Sequence, residues 1–319
     1  METTELHQHQ RLQEALRDFL WDQWVALGLA GHASGKPVPF VIDPEALLLA
    51  TLRFAMDEGR FRGEVLDWLT QNGALLSVQR MKNFDLSMRV APPESVRALA
   101  AFMEKAGYRN WKTLQTRVSS GAKLEFSEST GRGMSQAPDS ARPEAFLLRM
   151  RMLFGVNARA EVITWLLTHT DGHAARIARE TGWFSKSVQA ILNDLEQAGM
   201  LIARTEGKRK EVTLHPRGDI WHPDLAMPLH WFSQAPFYLG IHHVLRTLEQ
   251  ANQPELSAAA RAITIRRDLV PLETSFRLAG LGDLYTGANK ERGEALIERF
   301  MEATHRLVEM VETRVGLSE

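Results

Sequence analysis

Residues 157–214 constrain the fold more than any other part of this 319-residue chain. Apolar residues at helical spacing predict a helix over 158–168 and a short helix over 173–181. Ser185 is expected to open a third helix, and its hydroxyl is expected to cap that helix by accepting a backbone N–H. Gly182 separates the second helix from the third, because glycine tolerates the left-handed conformation that ends a helix.

A β-hairpin with a basic tip is predicted after the third helix. Apolar strands over 200–202 and 212–214 flank the sequence EGKRK at 206–210. Gly207 permits a tight turn, and the three cations that follow repel one another unless solvent or an anion such as phosphate faces them. Residues 149–217 contain eleven Lys or Arg and seven Asp or Glu, so this part carries +4 whereas the whole chain carries −1.

The third helix is expected to have two faces of different chemistry. Its inward stripe is apolar: Val188, Ile191, Leu192 and Leu195. Its outward side chains near the N-terminus are suited to reading bases: Lys186, Ser187, Gln189 and Asn193. Gln and Asn pair with adenine through two hydrogen bonds, and Lys reaches guanine or phosphate. Helix, turn, helix and hairpin in this order predict a winged helix-turn-helix whose third helix enters the DNA major groove.

A second set of polar side chains is expected to anchor DNA phosphates. These residues lie on the second helix, at the start of the third and on the hairpin: Arg176, Arg179, Ser185, Arg204, Lys208, Arg209 and Lys210. Cations and helix N-termini bind phosphate oxygens without regard to base sequence, so this set predicts affinity rather than specificity.

Three short sequences in this segment carry a resemblance to known regulators. They are AARIARETG at 174–182, SKSV at 185–188 and LEQAGMLI at 195–202. Together they resemble the helix-turn-helix core of ArsR-like and MarR-like bacterial transcriptional regulators, over about 60 of the 319 residues. The resemblance implies sequence-specific binding of double-stranded DNA and regulation of transcription, as a repressor that occludes a promoter. The chain has no cysteine, which excludes the thiolate metal sensors of the ArsR-like group.

Composition and length indicate a soluble protein of two or three domains. Apolar residues make up 44% of the chain and charged residues 24%. The absence of cysteine fits the reducing cytosol, so a cytoplasmic location is expected. No apolar run approaches the roughly 18 residues of a membrane span, so no membrane partner is expected.

The expected architecture is mainly α, with the winged helix between two helical domains. An N-terminal helical domain is predicted over 1–116, and a flexible linker or loop rich in Gly, Ser and Pro over 117–142. The winged helix-turn-helix domain is predicted over 143–219 and a C-terminal helical domain over 220–319.

The helix expected to begin after Ser77 is a candidate for a second DNA-binding element. It carries four polar side chains: Gln79, Arg80, Lys82 and Asn83. Two helices are predicted before it, and Asp43 is expected to cap the first of them. The three helices together are a possible degenerate helix-turn-helix.

The last helix is expected to be amphipathic. Its apolar residues recur at helical spacing: Leu296, Ile297, Phe300, Met301, Leu307, Val308, Val311 and Val315. Regulators of this type read two half-sites as a two-fold dimer, so we assign the homodimer contact to this helix as a hypothesis. The alternative is that the stripe belongs to an intramolecular core.

No catalytic residues, cofactor or metal site are predicted, and the chain is not expected to be an enzyme. The sequence GHASGK at 31–36 is one residue short of a phosphate-binding loop, and His169 and His173 flank a turn where helical spacing is not assured. An unidentified effector or protein partner is left open. The alternative function is a winged-helix interaction scaffold or antitoxin-like partner with weak or no DNA binding, which an apolar exposed third-helix face would indicate.

Overall fold

The described part of the protein is mainly helical, which confirms the predicted class. The structure is a computed structural model that describes residues 2–117, 126, 132–206, 209–215, 230–314 and 316–317. The helices are α1 (Glu2–Ala26), α2 (Pro44–Phe54), α3 (Gly59–Asn72), α4 (Val78–Met88), α5 (Pro93–Lys105), α6 (Phe146–Phe154), α7 (Ala158–Thr168), α8 (Ala174–Thr181), α9 (Ser185–Gln197), α10 (Gln234–Ala251), α11 (Ala258–Leu278) and α12 (Gly293–Thr313). The strands are β1 (Phe40–Val41), β2 (Leu201–Glu206), β3 (Arg209–Leu214) and β4 (His230–Trp231). Among these helices, none is both long and apolar enough to cross a membrane.

Local capping signals position several helix ends as predicted. The Asp43 carboxylate accepts a hydrogen bond from the Ala46 N–H at 3.2 Å at the start of α2. The Ser77 hydroxyl accepts one from the Arg80 N–H at 3.3 Å at the start of α4. Gly182 ends α8 in the left-handed conformation, with φ of +73°. These ends were predictable because each signal acts within three or four residues.

The N-terminal and C-terminal helices share one hydrophobic core. Helix α1 packs against α2, α10 and α12. The Phe19 ring of α1 lies 5.9 Å from the Phe40 ring and 6.2 Å from the Phe237 ring. Beyond α12, Arg314 forms a buried ion pair with Asp22 of α1 at 2.9 Å. The C-terminal end of the described chain therefore packs directly on its N-terminal helix, α1.

The apolar stripe of α12 belongs to this same core. Its buried members are Leu296, Ile297, Phe300, Leu307, Val308 and Val311. They lie where α12 packs against α1 and α11. Met301 is half-buried, and Val315 lies outside the described residues. The stripe is thus not available for the homodimer contact assigned to it from sequence, because a surface buried within the chain cannot also bury against a second copy.

Helices α6 to α9 and the hairpin enclose a second core. Strands β2 and β3 pair antiparallel, with Leu201 opposite Leu214. Gly172 adds an isolated bridge to this hairpin through two hydrogen bonds with Val212, of 3.1 and 2.8 Å. A side chain at Gly172 would place its Cβ 2.3 Å from the Trp165 ring, so the close approach of the chain to α7 requires glycine there.

A two-residue parallel pair lies between the two cores. Strand β1 pairs with β4, with Phe40 opposite His230 and Val41 opposite Trp231. Val41 and Trp231 contribute to the second core, whereas Phe40 belongs to the first. Successive strand residues point to opposite sides, so this short pair connects both cores.

Residues 132–142, the second part of the predicted linker, lie along the N-terminal helices. The Gln136 N–H donates to the Gly28 carbonyl at 2.8 Å, and the Ser135 N–H donates to Asp67 Oδ2 at 3.1 Å. Residues 118–125 and 127–131 of that linker lie outside the described residues.

Candidate nucleic-acid interface

Helix α9 presents a polar face to solvent. Its apolar residues Val188, Leu192 and Leu195 are buried in the second core. The four side chains predicted to read bases are all exposed: Lys186, Ser187, Gln189 and Asn193. Gln189 Nε2 donates to Asn193 Oδ1 at 2.9 Å, so the two amides lie side by side one helical turn apart. This face can offer both hydrogen-bond donors and acceptors to a ligand.

The start of α9 differs from the prediction. Phe184 occupies the N-cap position and makes no side-chain capping bond, so the expectation that Ser185 caps this helix is wrong. Ser185 is already the first helical residue, whereas a capping side chain comes from the residue before it. The Ser187 and Val188 N–H groups bond instead to the Phe184 carbonyl at 3.0 and 3.1 Å. The Ser185 side chain is exposed beside this helix N-terminus.

The hairpin places its described cations beside α9. Arg204 on β2 is exposed and lies across the strand pair from Glu211. Lys210 on β3 is exposed and forms an ion pair with Glu196 of α9. Arg209 begins β3, and Lys208, at the predicted tip, lies outside the described residues. The Lys210–Glu196 pair fixes one edge of the hairpin against the third helix.

The two arginines of α8, predicted to anchor phosphates, have contacts within the protein. Arg176 Nε donates to Glu180 Oε1 at 3.0 Å, and its guanidinium lies 5.2 Å from the centre of the Trp165 ring. Arg179 Nη2 also donates to Glu180, at 3.3 Å. Glu180 in turn accepts a hydrogen bond from Trp165 Nε1 at 2.8 Å. Arg176 and Glu180 thus link α8 to Trp165 of α7, whereas Arg179 pairs within α8 and remains exposed.

The histidines flanking the turn before α8 have structural contacts. His169 stacks on Trp165 with ring centres 3.7 Å apart, and its Nδ1 lies 2.8 Å from the Trp165 carbonyl oxygen. Burial lowers the pKa of His169 despite the nearby carbonyl and Glu180. His173 is the N-cap of α8 and accepts a hydrogen bond from the Arg176 N–H at 3.3 Å. Within the described residues, no group of three acidic or histidine side chains is placed to hold a metal.

The turn between α8 and α9 is docked on α4. Asn83 Nδ2 donates to the Gly182 carbonyl at 2.8 Å, and Arg80 Nε donates to the Thr181 carbonyl at 2.8 Å. A Cβ at Gly182 would lie 2.6 Å from the Phe84 ring. Arg80 and Asn83 were candidates for a second DNA-reading helix, but both side chains hold this turn instead. Gln79 is exposed and Lys82 is half-buried.

A buried ionic cluster joins the N-terminal helices to the second core. It consists of two arginines and three carboxylates: Asp43, Glu45, Arg80, Arg151 and Glu161. Arg80 binds both Asp43 and Glu45, and its side chain is fully buried. Arg151 contacts Glu45 Oε2 at 2.7 Å and Glu161 Oε1 at 2.5 Å. The cluster therefore connects α2, α4, α6 and α7.

The two arginines of the ionic cluster favour the charged form of Glu45 despite its burial. Burial alone would disfavour the Glu45 carboxylate, but Arg151 and Arg80 outweigh it and lower the pKa of Glu45. The Ser77 N–H adds a hydrogen bond to Glu45 at 2.6 Å. The sequence predicted Asp43 as a cap and Arg80 as part of a possible second DNA-binding helix. The partners of Arg80 lie 35 to 101 residues away, so no local pattern indicated its burial.

Comparisons with protein-family models, curated proteins and solved structures give no significant match to this chain.

Proposed function

We propose that residues 158–214 form a winged helix-turn-helix and that the protein binds double-stranded DNA sequence-specifically to regulate transcription, as a repressor. One observation carries this proposal: α9 exposes a polar face beside an exposed, basic hairpin. An α-helix with its side chains is about 10–12 Å wide, which matches the width of the B-DNA major groove, about 12 Å.

Base reading is assigned to the exposed face of α9. Gln189 and Asn193 exchange their mutual hydrogen bond for bonds to base edges. Each amide can pair with one adenine, accepting a hydrogen bond from N6 and donating one to N7. Lys186, near the helix N-terminus, reaches guanine or phosphate. Ser187 offers a hydroxyl that both donates and accepts.

Phosphate anchoring is assigned to the hairpin and to the N-terminus of α9. Arg204 and Lys210 lie exposed on the two strands, and Lys210 can exchange Glu196 for a phosphate oxygen. Lys208 and Arg209 extend this positive edge along the sequence. Ser185 sits where helix N–H groups and the helix dipole favour an anion. Arg179 is exposed enough to contribute, whereas Arg176 acts mainly on Glu180 and Trp165.

A homodimer in the cytoplasm belongs to the same proposal, because two-fold dimers read paired half-sites. Its contact surface lies elsewhere than the buried stripe of α12. Two chains per duplex is then the expected stoichiometry.

An interaction scaffold is the second candidate, and one residue favours it. Phe184, immediately before α9, is 58% exposed, and an exposed aromatic side chain is a common anchor for a protein partner. The neighbouring face of α9 is polar, however, which favours DNA over a protein groove.

Fluorescence anisotropy tests the DNA proposal directly. The probes are a duplex carrying the upstream region of the protein's own gene and a scrambled duplex of equal composition, each at two salt concentrations. We expect Gln189→Ala to weaken binding to the upstream duplex alone, by about 1–3 kcal/mol. We expect Arg204→Ala to weaken binding to both duplexes and to reduce the salt dependence by about one counterion.

Lys290→Ala, which removes an exposed cation from the C-terminal half, is the matched control and should bind as the wild type does. Equal, weak binding to both duplexes that neither Gln189→Ala nor Arg204→Ala alters would reject the proposal. A pull-down that depends on Phe184 would then support the scaffold.

A further inference from the structure

A cavity of about 570 Å³ opens between α1, α2, α3 and the start of α5, away from the α9 face. Apolar side chains form part of its wall: Leu16, Leu52, Met56 and Pro92. Clefts of roughly 300–1,000 Å³ with mainly apolar walls and a few convergent polar groups are typical small-molecule sites. The volume of this cavity falls within that range, and its wall combines apolar and polar side chains, so it suits a small organic ligand that carries a polar group.

Three arginines line the cavity, and one carboxylate accompanies them. They come from three helices: Arg17 of α1, Arg53 of α2 and Arg62 of α3. Arg17 pairs with Asp57 at 3.1 Å, in a pair whose side chains are 41% and 71% exposed. The cavity wall thus carries a net positive charge of two.

The contacts of these arginines leave their charge poorly compensated. Arg53 donates through Nε to the Val90 carbonyl, and Arg62 donates through Nη1 to the Met56 carbonyl at 2.9 Å. Neither forms a salt bridge with a carboxylate among the described residues. The Nε atom of Arg17 is buried without a hydrogen-bond acceptor there.

Burial of a guanidinium without a carboxylate partner is unfavourable. Burial lowers the pKa of Arg53, and Glu94 offsets this only in part. Guanidinium groups bind carboxylate, sulfonate and phosphate through paired hydrogen bonds, which makes an anion the ligand that best completes this site.

We propose that this cavity binds a small organic anion, with its acidic group held by Arg17, Arg53 and Arg62 and its apolar body against the wall formed by Leu16, Leu52, Met56 and Pro92. The site goes beyond DNA binding and does not depend on it. Carboxylate, sulfonate and phosphate share the required chemistry.

A pair of fluorescent probes that differ by one charge tests this site in the full-length protein. 1-Anilinonaphthalene-8-sulfonate carries a sulfonate, and N-phenyl-1-naphthylamine is the same body without it. We expect saturable binding of one sulfonate probe per chain, about tenfold tighter than the neutral probe. Equal affinity for the two probes would overturn the proposal, because an apolar cleft alone does not distinguish them.

Substitutions locate the site. Arg53→Gln and Arg62→Gln should each weaken the sulfonate probe about tenfold and leave the neutral probe within about twofold. Asp57→Asn should act oppositely and tighten the sulfonate probe about threefold, because it removes the competing carboxylate. Arg306→Gln, at an exposed arginine of α12, is the matched control.

Each variant is first checked by circular dichroism and thermal unfolding. If Arg53→Gln does not fold, because Arg53 also holds the Val90 carbonyl, Arg62→Gln and Asp57→Asn decide the outcome. Sulfonate affinity that neither variant changes would place the probe elsewhere and reject the site.

Discussion

At the scale of single residues, Gly182 carries two constraints at once. It holds a left-handed conformation with φ of +73°, and a Cβ at this position would lie 2.6 Å from the Phe84 ring of α4. Gly199, at the end of α9, has nearly the same conformation, with φ of +71°, but a Cβ there would meet nothing within 4 Å. A comparison of the two glycines therefore separates the cost of the left-handed conformation from the cost of overlap with Phe84.

We expect Gly199→Ala to lower the free energy of unfolding by about 1 kcal/mol, for the left-handed conformation alone. Gly182→Ala should cost about 1–3 kcal/mol more, because its methyl group would overlap the Phe84 ring. Urea unfolding of both variants measures the difference. Equal losses would mean that α4 does not press on the turn between α8 and α9.

At the scale of elements, the ionic cluster orients α2, α4, α6 and α7 relative to one another. Its charges are shared: Glu45 binds both Arg80 and Arg151, and Arg80 also donates to the last carbonyl of α8, that of Thr181. Removing one member leaves a buried opposite charge without its partner, and that costs more than the loss of an exposed pair.

Arg80→Met should lower the free energy of unfolding by about 3–5 kcal/mol, because Asp43 loses its buried arginine partner and the Thr181 carbonyl loses its donor. The matched control is Arg11→Met. It breaks the half-exposed pair of Arg11 with Glu312 and should cost about 0–1 kcal/mol. Denaturant melts of both variants at pH 7 test this. An Arg80→Met loss no larger than that of the control would show that the cluster contributes little.

At the scale of the whole molecule, we expect half-buried histidines to make the fold sensitive to mild acid. Burial, with further contributions from Arg53, His243 and Arg246, lowers the pKa of His242 to about 4. Burial likewise lowers the pKa of several other histidines: His9, His169, His230 and His243. Each takes up a proton more readily in the unfolded chain than in the folded one.

The free energy of unfolding should therefore fall as the pH is lowered from 7 to 5. In this range the unfolded chain, whose histidines have their ordinary pKa, takes up protons that the folded chain does not. His242 alone should account for about 1–2 kcal/mol of that loss, allowing for its partial exposure. His242→Gln should reduce the loss by this amount, and His7→Gln, at an exposed position, should not. Unfolding curves at pH 7, 6 and 5 test the prediction. A loss that His242→Gln does not reduce would contradict it.

Local sequence signals determined the mainly helical class and the course of the segment proposed to bind DNA. Gly182 and the caps at Asp43 and Ser77 act within three or four residues, so the sequence alone positioned those helix ends. Apolar periodicity likewise identified which face of α9 is buried and which is polar. Whether that face reads DNA stays a prediction.

Only the tertiary structure decided which elements contact each helix face. The stripe of α12 predicted burial, but only packing shows that α1 and α11 cover it rather than a second copy. Arg80 belonged to a helix predicted as a possible DNA-binding element, yet its buried side chain binds Asp43, Glu45 and Thr181. The cavity with its three arginines forms only where helices meet. Periodicity encodes which side of a helix avoids water, whereas contacts between distant residues depend on how the helices pack.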